Sequence, residues 1–232
     1  VEICLVAATP GECQLIEERL SGEPLPAASS QRLRASGKIG NHWVDLLVTG
    51  VGAVNTTWAL SRGLSRFPYK LIVNVGVCGA IDRRLPLGSV VSIVQEIFGE
   101  LGAEDQDGSF LDLHSIGLPL HQTRSGTWFN RLAAPDLPYP EPNLPRVVGV
   151  TADRAHGEQQ SIDRLTRHWP DAQVESMEGA AFFYAALRSH VPFVAIRGIS
   201  NYVEPRDRSS WRLPEAAAAA QQAALSWIES LG

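Results

Sequence analysis

The sequence predicts an α/β sandwich built on a mixed sheet. Short runs rich in Val and Ile alternate along the whole chain with stretches whose apolar residues recur at helical spacing. A Gly40-Asn41 pair also separates two strand-like runs in the manner of a hairpin turn, which adds an antiparallel pair to an otherwise α/β pattern.

Taken in order, Glu2–Ala8 reads as a first buried strand because it is almost wholly apolar, and Gly11–Leu20 as a helix leaving that strand's carboxyl end. Arg32–Ile39 and His42–Thr49 are the two arms of the hairpin. Ala53–Phe67 follows a Gly-Val-Gly turn and carries small and apolar residues at helical spacing. Leu71–Val75 is a short apolar strand that meets a G-V-C-G run, read as a tight strand–helix turn or a ligand-contacting loop. Ser89–Phe98, Arg146–Val150, Val174–Glu175 and Phe193–Ile199 are further strands, with helices near Glu158–Trp169, Met177–Arg188 and Pro214–Leu231. Between Gly99 and Pro145 the pattern gives way to Gly, Pro and acidic residues, expected to form an excursion over a site or at a subunit contact. Ala216–Ala220 reads as surface helix explained by alanine's propensity.

Composition narrows the classes. The chain has 232 residues, 44% of them hydrophobic, and fits one globular domain spanning residues 1–232. A net charge of −5 argues against a general nucleic-acid or anionic-membrane surface. No run of about 18 apolar residues and no basic-then-apolar leader appears, so the sequence predicts neither export nor membrane spanning, and a cytoplasmic protein. The cysteines, Cys4, Cys13 and Cys78, have no C-x-x-C spacing, and the histidines form no metal-binding set, so no metal is expected.

The most informative stretch is Val174 to Asn201. It joins a carboxylate-bearing turn, a buried helix, an apolar strand and a polar residue at that strand's end, a unit able to hold a ribose at one end and a base at the other. Glu178, at the helix start, is placed either as a favourable charge on the helix dipole or as a bidentate acceptor for two ribose hydroxyls. Asn201, preceded by Ser200, offers a donor for N7 or O6 of a 6-oxopurine, or forms an ordinary turn. Glu12, in T-P-G-E-C at the end of the first strand, either accepts a proton from water or serves as a helix-terminal charge. Two glycine-rich runs, Gly50-Val51-Gly52-Ala53 and Gly76-Val77-Cys78-Gly79-Ala80, allow close backbone approach, but neither is a dinucleotide or nucleotide-phosphate motif. Cys78 lacks a partner histidine and reads as a packed thiol. Arg206, Arg208 and Trp211 follow Asn201 closely and are candidates for a substrate carboxylate, with His156 and Arg154 weaker ones.

With these residues in place, the chain resembles the nucleoside phosphorylase/nucleosidase superfamily. Within it, the chain is most similar to the futalosine hydrolases of the alternative menaquinone pathway. The resemblance rests on T-P-G-E, G-V-G, G-V-C-G-A, F-G-E-L-G-A-E-D-Q-D-G, E-S-M-E-G-A-A-F and R-G-I-S-N-Y-V-E-P-R-D-R-S-x-W, which together span nearly the whole chain. It implies a three-layer α/β/α sandwich with a central mixed sheet. It also implies hydrolysis of an N-glycosidic bond, a small nucleoside as partner, no cofactor, and a homo-oligomer, dimeric or higher.

By the same resemblance Glu12 would activate water, Glu178 would hold the ribose with Met177 as its floor, and Asn201 would meet the purine where adenine-cleaving relatives use Asp. Gly52, Val77, Cys78, Gly79, Phe98 and Ser200 would lie near the substrate, and Arg206 with Trp211 would meet its carboxybenzoyl end. Two departures from related phosphorylases stand out: Asn74-Val75-Gly76-Val77-Cys78-Gly79 replaces an Arg-containing motif, and the first loop has no Arg. Both remove phosphate-holding groups and favour water as nucleophile. A purine nucleoside phosphorylase, a methylthioadenosine, adenosylhomocysteine or aminofutalosine nucleosidase, and a non-catalytic nucleoside-binding protein are the alternatives. Ser176 stands where adenine nucleosidases tend to carry another Glu, and Glu175 lies one residue too early to take over that role.

Overall fold

Strand β1 (Glu2–Ala7) pairs in parallel with β3 (His42–Val48) on one side and β4 (Leu71–Ala80) on the other, and β2 (Leu33–Ile39) closes the hairpin against β3. The computed structural model describes residues 2–20, 33–124 and 126–231. Arg32, expected to start the hairpin, lies outside the described residues. Among the described residues the main sheet has nine strands, in the order β10 (Arg131–Ala133), β5 (Val90–Phe98), β11 (Arg146–Thr151), β12 (Val174–Ser176), β4, β1, β3, β2, with β13 (Phe193–Tyr202) set against both β4 and β5.

On the far side of β4 the sheet closes on itself. Here β5 (Val90–Phe98) pairs with β11 (Arg146–Thr151), β11 with β12 (Val174–Ser176), β12 with β4, and β13 (Phe193–Tyr202) with both β4 and β5. Parallel and antiparallel pairings are both present, so the mixed α/β architecture stands. The G-V-C-G run, however, is not a turn. Strand β4 continues to Ala80 because it is laddered on both flanks, by β13 in parallel and by β12 at Glu175–Gly79. Tertiary pairing overrides the weak strand preference of glycine. For the same reason β13 runs on through Asn201 to Tyr202, with an irregularity between Ile199 and Asn201 that re-aims the polar pair.

Helices cover both faces. Helix α2 (Ala53–Arg66) packs on α4 (Gly179–Arg188), over a core that holds Leu60, Ile72, Phe182, Phe183 and Phe193. The three phenylalanine rings meet edge-to-face, with centroids 4.7–6.1 Å apart. Helix α4 is buried almost all round, which is why its sequence lacks a polar face. On the other face α1 (Gln14–Leu20) and α5 (Leu213–Ser230) bury Ile16, Leu46, Trp227 and Ile228. The Ala-rich run of α5 is a packing device, not simply a surface helix. Ala216, Ala217 and Ala220 are buried, and a Cβ at Gly198 of β13 would lie 2.0 Å from the Ala216 carbonyl oxygen. Helix α3 (Gln159–His168), capped by the Glu158 carboxylate on Gln160 N and Ser161 N, seals Ile97 and Val150 with Leu165 and Trp169.

The excursion after β5 forms two hairpins, β6 (Gly102–Glu104) with β7 (Phe110–Asp112) and β8 (His121–Thr123) with β9 (Gly126–Trp128), before β10 (Arg131–Ala133) rejoins the sheet edge. Among the described residues no helix is long and apolar enough to cross a membrane.

Candidate active site

The carboxyl ends of β1, β4 and β13 open on a cavity of about 580 Å³, the place where ligands gather in α/β sheets. Of the residues singled out from sequence, Glu12, Val77, Cys78, Gly79, Met177, Glu178, Ser200, Asn201 and Trp211 line it. Gly52 does not line it, yet it is part of the site: its N–H donates to Glu178 Oε1 at 2.8 Å. That contact needs the left-handed backbone of Gly52 (φ +89), which other residues rarely adopt.

Glu12 sits in a 3-10 turn, Pro10–Glu12, not in the helix proper, which begins at Gln14. Its Oε2 accepts from Thr9 N (3.0 Å) and Thr9 Oγ1 (2.8 Å), and its Oε1 accepts from Val77 N (3.1 Å). The turn is held from α5: Gln221 Oε1 accepts from Leu15 N and Ile16 N, the open first-turn donors of α1.

Glu178 is the residue flanking the start of α4, but its carboxylate does not cap the helix. The first amides are met by other groups, Gly179 N by Ser176 Oγ (3.2 Å) and Ala180 N by Thr151 Oγ1 (2.7 Å). The Glu178 carboxylate turns into the cavity instead. Burial pushes its pKa above the ordinary carboxylate value, against the opposing pull of the Gly52 N–H and Arg197. Behind it lies a second acid that sequence reading passed over. Glu96 is fully buried, accepts from Thr151 Oγ1 at 2.9 Å, and is pushed up to about 7 by burial.

Arg197 was likewise missed, although one cation inside the apolar run F-V-A-I-R-G-I was a usable signal. It is buried, and its guanidinium donates to the Asn74 side chain, to the Asn74 carbonyl (3.4 Å) and to the Ile196 carbonyl (3.1 Å). Together with Glu12, Glu178, Thr49, Thr56 and Asn74 it surrounds a void of about 10 Å³ beneath the main cavity. That is roughly the room one water needs.

At the other end, Ser200 Oγ approaches Asn201 Oδ1 at 2.8 Å and engages the carbonyl side of the amide. The Asn201 nitrogen then remains the donor, bonded to the Tyr202 carbonyl at 2.9 Å. Burial pushes the Cys78 thiol up to about 12, so it stays a neutral packed group. Glu175 and His156 also line the cavity, bonded to one another through Glu175 Oε1 and His156 Nδ1.

Besides Gly52, the expected residues Phe98, Arg206, Arg208 and Arg154 fall away from the cavity wall. Phe98, at the end of β5, packs against the core and is not among the residues lining the cavity. Arg206 is not a wall residue; its guanidinium stacks on the Trp211 ring at 5.0 Å, with Arg208 at 5.9 Å. Arg154 pairs with Glu100 at 2.7 Å and faces a neighbouring cavity of about 480 Å³ instead. The Gly99–Pro145 excursion contributes none of its described residues to the main cavity. Among the described residues, no Lys or Arg lines that cavity and no group of three or more His, Cys, Asp and Glu is arranged to hold a metal.

The chain belongs to the Phosphorylase superfamily, whose family model matches residues 2–229. It is closely related to futalosine hydrolases: it is 30% identical to that of Thermus thermophilus over 88% of this chain and 87% of the relative. With that of Streptomyces coelicolor it shares 34% identity over 75% of this chain and 74% of the relative. The fold also matches the solved structure of 5'-methylthioadenosine/S-adenosylhomocysteine nucleosidase from Neisseria meningitidis, in complex with methylthio-immucillin-A. That match has a TM-score of 0.80 at 20% identity, covering 99% of both chains, and speaks for the fold alone. The chemistry common to these relatives is nucleosidase-type hydrolysis of an N-glycosidic bond.

Proposed function

We propose that the chain hydrolyses futalosine, releasing hypoxanthine and dehypoxanthine futalosine in menaquinone biosynthesis, with water as nucleophile. The observation that carries the choice of water is the void about the size of one water between Glu12, Glu178 and Arg197. The main cavity, by contrast, has no Lys or Arg among its described lining residues to hold a phosphate. The similarity to two futalosine hydrolases supports the substrate.

In this reading the base lies against Val77, Cys78, Gly79, Ser200 and Asn201, and the ribose lies over Met177 with its hydroxyls on Glu178. Cleavage breaks C1′–N9, and its electron pair leaves with the purine while positive charge builds on the sugar. Glu178, ionised, stabilises that charge through the hydroxyls. Glu12 takes a proton from the water as its oxygen bonds to C1′. Asn201 donates to N7 of the departing 6-oxopurine but carries no proton to give, so solvent completes the protonation. Trp211, with Arg206 stacked on it, supplies an apolar wall and a cation for the carboxybenzoyl group.

The test is incubation with futalosine in phosphate-free buffer and again with phosphate, following hypoxanthine and the sugar product. Free sugar without phosphate is the expected result. Sugar 1-phosphate formed only with phosphate would make the chain a phosphorylase, and no release in either buffer would remove futalosine as substrate.

A further inference from the structure

Glu175, Gly79 and Asn201 form one row across three adjacent strands. Gly79 of β4 is register partner to Glu175 of β12 on one side and to Asn201 of β13 on the other. Directly opposed residues project to the same face, and two strand spacings set the outer backbones about 10 Å apart. The centre of the row has no room for a side chain of its own. A Cβ at Gly79 would lie 2.9 Å from Val203 Cγ2 and 3.1 Å from Asn201 Nδ2. Val203 and Asn201 thus crowd Gly79, and the row carries a carboxamide at one edge and a carboxylate at the other, both lining the main cavity.

The carboxylate is an unusual occupant. Glu175 and His156 are both buried, so each needs a partner. His156 Nδ1 bonds Glu175 Oε1, and the His156 backbone N–H donates to Glu175 Oε2 at 3.2 Å. Across the ring, His156 Nε2 faces Glu100 at 3.8 Å. A carboxylate offers about four lone-pair positions. These contacts leave lone-pair capacity on Glu175, which lines the cavity from one edge of the row, while Asn201 lines it from the other. Donor on one side and acceptor on the other is the complement of a 6-oxopurine, whose N7 and O6 accept and whose N1–H donates. In a 6-aminopurine, N1 is a lone pair that would meet the carboxylate.

Resting on the hydrolase reading above, we infer that Glu175, braced by His156, accepts the purine N1–H and thereby selects a 6-oxopurine over a 6-aminopurine. This places Glu175 at the base, not at the sugar, and makes His156 a positioning residue.

The test compares binding of hypoxanthine, 1-methylhypoxanthine and adenine to the unmodified protein by calorimetry, then repeats it with Glu175→Met, a change of similar length without an acceptor. The expected preference of the unmodified protein for hypoxanthine over the other two is roughly 10-fold or more, and the variant should lose most of it. Equal binding of hypoxanthine and 1-methylhypoxanthine by the unmodified protein would overturn the proposal whether or not the variant folds. So would a variant that keeps the preference, or one that weakens all three bases alike. Because binding is read without turnover, a protein that cleaves no nucleoside yet shows the preference would refute the hydrolase reading and support the base-reading role.

Discussion

Glu12→Gln separates charge from shape at the centre of the proposed chemistry. The side chain is held by three donors, two from Thr9 on one oxygen and one from Val77 on the other. A glutamine can keep its carbonyl toward Thr9, but its amide nitrogen then faces the Val77 N–H, and one accepting contact becomes a donor–donor contact. The stability cost of that contact is about 1–3 kcal/mol. For a chain of this size the loss corresponds to a fall in Tm of roughly 2–12 °C, so the variant should remain folded. Losing a general base costs about 10²–10⁴-fold, roughly 3–5 kcal/mol of transition-state stabilisation. The assay is single-turnover release of hypoxanthine from saturating futalosine, paired with calorimetric binding of hypoxanthine. The expected outcome is a turnover loss in that range with hypoxanthine affinity kept within about threefold. Turnover within about threefold of the unmodified protein would refute the role of Glu12, and equal loss of base binding would show that the variant has disturbed the pocket.

Glu96 gives a pH signature in stability. Its carboxyl rises from 4.5 to about 7 on folding, so between those values the folded chain holds a proton that the unfolded chain has released. Stability therefore falls as pH rises through that window, by a few kcal/mol from this group. Glu96→Gln, which keeps an acceptor for Thr151, should flatten the denaturation midpoint between about pH 4.5 and 7, and an unchanged slope would contradict the assignment. Arg206→Ala should reduce kcat/KM for futalosine about 10-fold more than for inosine, since only the former brings a carboxylate to the Arg206–Trp211 stack; equal losses would mark a structural stack. Phe183→Ala, in the edge-to-face cluster with Phe182 and Phe193, should cost about 3–5 kcal/mol in chemical denaturation, and a loss below about 1 kcal/mol would mean that the cluster does not anchor α4.

The sequence by itself determined the class of fold, because apolar periodicity reports directly which side of an element is buried, and the elements of both periods are long here. It also named Glu12, Glu178 and Asn201, since each is a polar residue at the edge of an apolar run, a local signal. What it left open at those positions was where each side chain points and what it bonds, and only the tertiary structure supplied that information. Glu178 turns away from its own helix because Ser176 and Thr151 already satisfy the first amides, and Thr151 comes from a different strand. The G-V-C-G run is strand and not turn because β12 and β13 ladder onto it from about a hundred residues away. Phe98 faces the core for a similar reason, as its strand is held by partners that local sequence does not name. That Arg197 and Glu175 line the cavities followed only once β13 and β12 were laid beside β4. Burial pattern is written along the chain, whereas the meeting of side chains across strands depends on register, and register is fixed by the packed whole.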